Sequence, residues 1–328
     1  MFFSMFGAVE SGIIFAIMAL GVYLSFRVLD FPDLTVDGSF VTGAAVAAMC
    51  IVNGVSPIIA TVLAAVAGFV AGNITGILNT KGKINPLLSG ILMMTALYSI
   101  NLRIMGGSPN IPLLNEPTVF NFLETAWEKT GIDQFLNGLL TSIGVEVVPG
   151  TWIVIFVMII ITVIVKLITD YYLKTEIGLA LRATGDNEKM IRSLSANTDT
   201  LKIVGLGFSN GLVALSGALI AQNDGFVDLK SGIGMIVIGL ASVIIGEALF
   251  GKKTIVRTTL AVILGAIVYR MVVTAALKVD FLETGDMKLI SAILVVAALV
   301  TPKVIATVRE QKRRQRKRID LNNKAKGA

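Results

Sequence analysis

Nine windows of mainly apolar residues recur along the chain, near 5–28, 36–53, 56–79, 86–104, 150–173, 201–222, 232–250, 255–277 and 287–307. Each approaches the ~20 residues that an α-helix needs to cross about 30 Å of hydrocarbon. The pattern predicts an all-α fold, a polytopic transmembrane helical bundle of about nine spans. Because no polar stretch between them is long enough to fold alone, residues 1–308 form one transmembrane domain, followed by a basic tail over 309–328. The opening MFFSMF lacks a basic n-region, and the run continues to Val28 without a small-residue cleavage site, so it is expected to stay as the first span. In the third window Gly68, Gly72 and Gly76 repeat every four residues, the spacing of close helix packing.

Composition narrows the chemistry. Hydrophobic residues make up 55% of 328 residues and charged ones 15%, far from the balance of a soluble domain. There is no histidine, and Cys50 is the single cysteine, set among apolar neighbours. The usual zinc and iron ligand sets, His-based triads and an intrachain disulfide are thereby excluded. No cofactor and no enzymatic activity are expected. The run Gly246-Glu-Ala-Leu-Phe-Gly251-Lys252-Lys253-Thr254 approaches a phosphate-binding loop, but Lys253 stands where that loop needs Ser or Thr for magnesium. It also follows a lipid-spanning helix instead of a strand, so any ATPase must be another subunit.

Charge sets the orientation. With the N-terminus outside, Lys and Arg divide 22 against 6 in favour of the side that carries the C-terminus, which is therefore expected in the cytoplasm. The run from Arg309 to Arg318 holds the last span and attracts anionic lipid; no aromatic or folded module accompanies it, which argues against nucleic acid. On the opposite side the segment Met105 to Pro149 is acidic, with Glu116, Glu124, Glu128, Asp133 and Glu146 against Lys129. Asp133 to Ile143 is patterned as a short amphipathic helix or an ordinary connection.

The most informative polar stretch is Lys174 to Lys202. Thr184 and Asp186 are suited to cap helices, and Ile177 and Leu181, then Met190, Ile191 and Leu194, recur at helical spacing. One short helix is expected to end near Arg182 and a second to run from about Asn187 to Ser195. The second cannot bury Met190 and Leu194 within its own loop, so it caps the bundle or docks on a partner.

The run Thr175-Glu-Ile-Gly-Leu-Ala-Leu-Arg-Ala-Thr-Gly-Asp-Asn-Glu-Lys-Met190 resembles the permeases of ABC importers of the branched-chain amino acid and sugar type. So do Gly207-Phe-Ser-Asn-Gly211, Leu215-Ser-Gly-Ala-Leu-Ile-Ala-Gln222, Gly239-Leu-Ala-Ser-Val-Ile-Ile-Gly-Glu247 and the early stretch from Arg27 to Phe40. Where that family often has Gly-Ile-Asn, this chain has Ser195-Ala-Asn197. The resemblance implies a coupling segment for a separate cytoplasmic ATP-binding subunit, carried by Glu176, Gly178, Leu181, Arg182, Asp186, Asn187, Glu188, Met190, Arg192 and Leu194. It further implies an extracytoplasmic solute-binding protein, a permease homodimer and a prokaryotic inner membrane. The wording of the motifs is closer to an amino-acid branch, aromatic or branched-chain, than to a sugar or nucleoside branch. An ion-coupled secondary transporter would need ionisable residues deep in its spans, and the span centres are nearly uncharged.

Phe31-Pro-Asp-Leu34, with Gly38 beyond, echoes Phe226-Val-Asp-Leu229, with Gly232 beyond. Five spans separate the two, which places them on opposite sides, as an inverted repeat requires. A path between the halves would involve Asn210, Gln222, Asn223, Gly232 and Gly234. Asp33, Asp37 and Glu247 are placed to cap helices or reach the interface, and Arg103 and Arg270 to anchor the outer face.

Overall fold

The computed structural model describes residues 2–142 and 148–277, with isolated positions between 289 and 300. Among them, seven helical segments are long and apolar enough to cross a membrane. The first is α1 (Phe2–Val22), continued by a π-helical turn over Tyr23–Val28. It is followed by α2 (Thr35–Val52), α3 (Pro57–Thr80), α4 (Pro86–Ile104), α7 (Ile153–Lys174), α9 (Thr198–Asp224) and α11 (Ile255–Ala276). The seventh expected window is α10, which covers only Met235–Phe250. At 1.5 Å per residue its 16 residues rise about 24 Å, short of a full crossing. Residues 231–234 at its head are turns, although their composition continued the apolar run. The ninth window and the basic tail lie outside the described residues, apart from scattered helical positions.

Helix α9 is the axis of the bundle, with α1, α2 and α3 packed along it. Small residues make this possible. A Cβ at Gly68 or Gly72 would overlap the backbone of Asn210 or Leu206, and one at Gly76 would press on Ile203, so the four-residue glycine repeat is the seam between α3 and α9. Hydroxyls stitch α9 to α1: Ser209 Oγ donates to the Gly21 carbonyl at 2.7 Å and Ser216 Oγ to the Ile14 carbonyl at 2.9 Å. With no water to satisfy them, such groups must find partners inside the bundle. The side chains that α7 turns outward are aliphatic or Phe through most of its length, from Phe156 to Ile168, with Tyr171 near its end. Its polar residues face inward, where Thr162 donates to the Ile13 carbonyl at 3.2 Å, Lys166 pairs with Asp170 at 2.5 Å, and Thr259 donates to the same carboxylate at 2.6 Å.

At one end of the bundle, β1 (Asn110–Pro112) pairs antiparallel with β2 (Phe226–Asp228), tying the chain after α4 to the chain after α9. The amphipathic stretch expected from Asp133 is helix α6 (Ile132–Ser142), preceded by α5 (Val119–Glu128). Thr118 and Asn121 cap α5 reciprocally, and Asp133 accepts from Trp127 Nε1 at 2.9 Å and from the Trp152 amide at 3.0 Å. The other end carries α8 (Glu176–Ser193).

Candidate functional site

Two places draw the distinctive residues together. The first is α8. Thr175, not Thr184, caps its start, accepting from the Gly178 amide at 3.2 Å, while Thr184 Oγ1 bonds back to the Ala180 carbonyl within the helix. Gly178 lies against the end of α7 and Gly185 against the Val28 carbonyl, both too close for a Cβ, and Leu181 is fully buried near Gly205. The first half of α8 is thus fixed to the bundle. Helical geometry breaks at Asn187 (φ −158°, ψ 90°), whose side chain accepts from the Met190 amide at 3.1 Å and caps a second short segment. The expected two-helix division is present, but the first segment runs on past Arg182 to the break, and Asn187, not Asp186, is the cap of the second.

Beyond the break, Glu188 and Arg192 form a network within the chain. Arg192 reaches Asp199 at 2.7 Å and Glu188 at 3.3 Å, and Lys202 reaches Glu188 at 2.7 Å. These pairs fasten the elbow to the first turns of α9. Ile191 is buried, whereas Met190 is 52% and Leu194 70% exposed. Glu176 and Asp186 are exposed, and Arg182 is half-buried with no ion pair among the described residues. The segment ends at Ser195 in the left-handed region (φ 64°), the conformation for which glycine is the low-cost residue. Ser195 is the first of the two positions, with Ala196, at which this chain departs from the Gly-Ile-Asn wording.

The second place is where the start of α2 meets the residues that lead into α10. Helices α2 and α10 start from the same region and run apart. The far end of α2 clusters with Met105, Ile111 and Val227 beside the β-pair, whereas α10 ends with Glu247 paired to Arg27 at 2.6 Å, beside α8. Their heads are joined by Asp37, in the first turn of α2, which accepts from the Gly234 amide at 2.9 Å and the Ile236 amide at 2.8 Å. A carboxylate on the free amides of a helix start satisfies both hydrogen bonding and the helix dipole. Gly232 lies against the Asp37 carbonyl, where a Cβ would collide, and Gly234 is left-handed (φ 90°).

Asp33 sits one turn before, 1% exposed, accepting from the Thr35 amide at 2.9 Å and from Asn210 Nδ2 at 2.6 Å. Burial pushes its carboxyl above the ordinary aspartate range, and these hydrogen bonds pull it part of the way back. Asn210 lies near the middle of α9, so this junction is well inside the bundle. Asp33 and Asp37 therefore cap helix starts, and Glu247 is an ion-pair partner. Arg270 turns inward, 3.9 Å from the centre of the Phe15 ring.

Of the expected path residues, Gly232 and Gly234 flank the junction and Asn210 underlies it. Gln222 is buried closer to the β-pair, accepting from the Val119 amide at 3.0 Å and donating to Thr61 Oγ1 at 2.9 Å. Asn223 lines a separate hollow of about 280 Å³ with Glu116, Glu124 and Asp224. A cavity of about 420 Å³ opens beside the junction, lined by Asp37, Thr95, Tyr98, Ser99, Asn101 and Gly232. The α4 residues of this cavity were not singled out in the sequence. The signal available was the run of hydroxyl-bearing residues Thr95, Tyr98 and Ser99 inside an otherwise apolar span.

A polytopic bundle with two interrupted elements meeting in its interior, and an elbow presenting apolar side chains at one end, has the build of a membrane transport subunit. Residues 4–299 match the family described as "Branched-chain amino acid transport system / permease component", and the chain belongs to that family. It is 45% identical over 289 residues, 88% of each chain, to the "Tyrosine transport system permease protein" of Clostridioides difficile. It is 33% identical to an uncharacterised protein of Rickettsia prowazekii, over 90% of this chain and 96% of the other. It is 26% identical to an "Autoinducer 2 import system permease protein" of Yersinia pestis, over 78% and 66% respectively. No solved structure matches the chain significantly.

Proposed function

We propose that this chain is the membrane-spanning subunit of an ATP-driven importer of an aromatic amino acid, tyrosine being the first candidate. The observation that carries the reading is the 45% identity to the tyrosine permease across 88% of both chains. At that coverage the similarity extends over most of the bundle. The autoinducer permease is more distant and spans less of both chains, which favours the amino-acid reading over a sugar-like solute.

In this reading α8 faces the cytoplasm and its elbow seats in a groove of a separate ATP-binding subunit. Met190 and Leu194 fill the groove, as exposed apolar side chains at the end of a short segment are suited to do. Glu188 and Arg192 act differently: their pairs to Lys202 and Asp199 pass any displacement of the elbow to α9. A solute-binding protein delivers the amino acid at the end that carries the β-pair, and two copies of the chain enclose the path. The test is uptake in vesicles containing the permease with its ATP-binding and solute-binding partners. Met190→Asp and Leu194→Asp should leave the permease folded but abolish co-purification of the ATP-binding subunit and ATP-dependent tyrosine uptake. Uptake that persists without the ATP-binding subunit would sink the reading.

A further inference from the structure

We propose that the cavity between α2, α4 and the head of α10 is a contact point for the zwitterionic amino acid on its way through the membrane. The inference deepens the proposed function and rests on it for the substrate class. Three observations converge on this cavity.

The outward face of α4 differs from that of the other peripheral spans. Tyr98 is 49% exposed and Ser99 is exposed, and among the described residues neither hydroxyl has a hydrogen-bond partner. Thr95, one turn away, is also exposed but satisfies itself on the Ile91 carbonyl at 2.9 Å. An unpartnered hydroxyl gains nothing from lipid and loses its hydrogen bonds to water, so this face calls for water or a polar ligand. The chain at the head of α10 makes the same demand. Leu229, Gly232 and Ile233 line the cavity with non-helical backbone, and such backbone is tolerated inside a membrane only against protein or a wet cavity. The third observation is the meeting of two interrupted elements. Helix heads that leave one interior point in opposite directions are where membrane transporters place polar solutes, because backbone groups and dipoles are exposed there.

The chemistry of the walls matches an amino acid. The Asp37 carboxylate, which accepts from the Gly234 and Ile236 amides, gives the cavity an acidic wall of the kind that attracts an α-ammonium group. The hydroxyls of Tyr98 and Ser99 can donate to an α-carboxylate. Val41, Met94 and Ile233 provide the apolar surface for a hydrophobic or aromatic side chain. A volume of about 420 Å³ falls in the range of small-molecule sites. No lysine or arginine stands among the described residues that line the cavity.

With a single native cysteine, thiol accessibility provides the test. In a Cys50→Ala background, Thr95→Cys and Ser99→Cys are compared with Ile160→Cys and Val163→Cys on the aliphatic face of α7. The full chain is used in native membranes with a charged methanethiosulfonate reagent. The α4 thiols should label about tenfold faster than the α7 thiols, since reaction needs the thiolate and an aqueous approach. Millimolar L-tyrosine should slow that labelling severalfold, and D-glucose should not. Labelling at Ser99→Cys as slow as at Val163→Cys would overturn the proposal. So would labelling that no amino acid slows, or rapid disulfide formation between two copies at Ser99→Cys, which would make the face a dry interface. Tyrosine uptake alongside inert α4 thiols would defeat this inference alone. Protection by D-glucose in the absence of tyrosine uptake would defeat the amino-acid reading instead.

Discussion

Helices α4 and α7 both lie at the periphery of the bundle and both turn aliphatic side chains outward, but α4 adds exposed hydroxyls near the middle of that face. Helix α7 keeps its polar groups inward, where the Lys166–Asp170 pair and Thr259 satisfy one another, and turns aliphatic side chains outward. Helix α4 has Gly90 against α2 on its inner side and turns Tyr98 and Ser99 outward. Hydropathy alone puts both in the same class, since each exceeds the threshold of a spanning segment. The difference teaches that, in a membrane protein, the direction of a polar residue distinguishes a lipid-facing span from a functional one.

The comparison can be broken most forcefully from inside α7. Lys166→Met strands Asp170 in a buried site, and loss of one partner of such a pair costs about 3–5 kcal/mol. The variant should fail to purify as a monodisperse protein, while Lys166→Met with Asp170→Leu should recover most of the melting temperature. Next comes a charge on each outward face. Val163→Lys should lower the amount of folded protein in the membrane, as a central lysine costs roughly 2.5–3.5 kcal/mol against lipid. Ser99→Lys, on the wet face, should lower it much less; equal losses would erase the distinction between the faces. A smaller effect is expected at the junction, where Asp37→Ala removes the cap from α10 at a cost of about 0.5–2 kcal/mol. Thermal melting should register that loss, and uptake should fall further than the melting shift alone explains.

The smallest effect is a pH dependence. Because the folded-state value of Asp33 is raised, its contribution to stability is fully present below the ordinary aspartate value and is lost as pH rises through the raised one. Melting temperature should therefore decline as pH rises above the ordinary aspartate range. Asp33→Asn, which keeps a neutral side chain of the same shape, should flatten that decline. Scan rate must be held constant, since membrane-protein unfolding is commonly irreversible.

Much of this architecture was legible in the sequence, because a spanning helix is a local object: about 20 apolar residues announce themselves wherever they occur. The glycine repeat of α3 was legible for the same reason, and so was the division of α8 into two segments, although Thr184 and Asp186 were read as the caps and the first segment runs past Arg182 to the break at Asn187. What resisted was non-local. Windowed hydropathy could not see that residues 231–234 turn instead of continuing a helix, because turns made of Gly, Ser and Ile are as apolar as the helix they precede. The β-pair joins residues more than a hundred positions apart, and no local pattern marks it. Arg270 was expected at a face and found against Phe15, since sequence gives the depth of a side chain better than its direction. Glu188 and Arg192 were singled out as partner-facing charges, but their intrachain pairs depended on Asp199 and Lys202, which belong to the following helix.

Asp37 has a consequence for how the protein is made. The amides that it caps lie 197 and 199 residues further along the chain. As synthesis proceeds from the N-terminus, α2 enters the bilayer long before α10 exists, and α10 then arrives with its Gly234 and Ile236 amides still lacking the carboxylate that accepts from them. The ribosome thus delivers the lock first and the key much later, and the second half of the protein becomes a finished half only by docking on the first. Separately expressed fragments cut between α7 and α9 would have to find each other before α10 acquired a defined beginning.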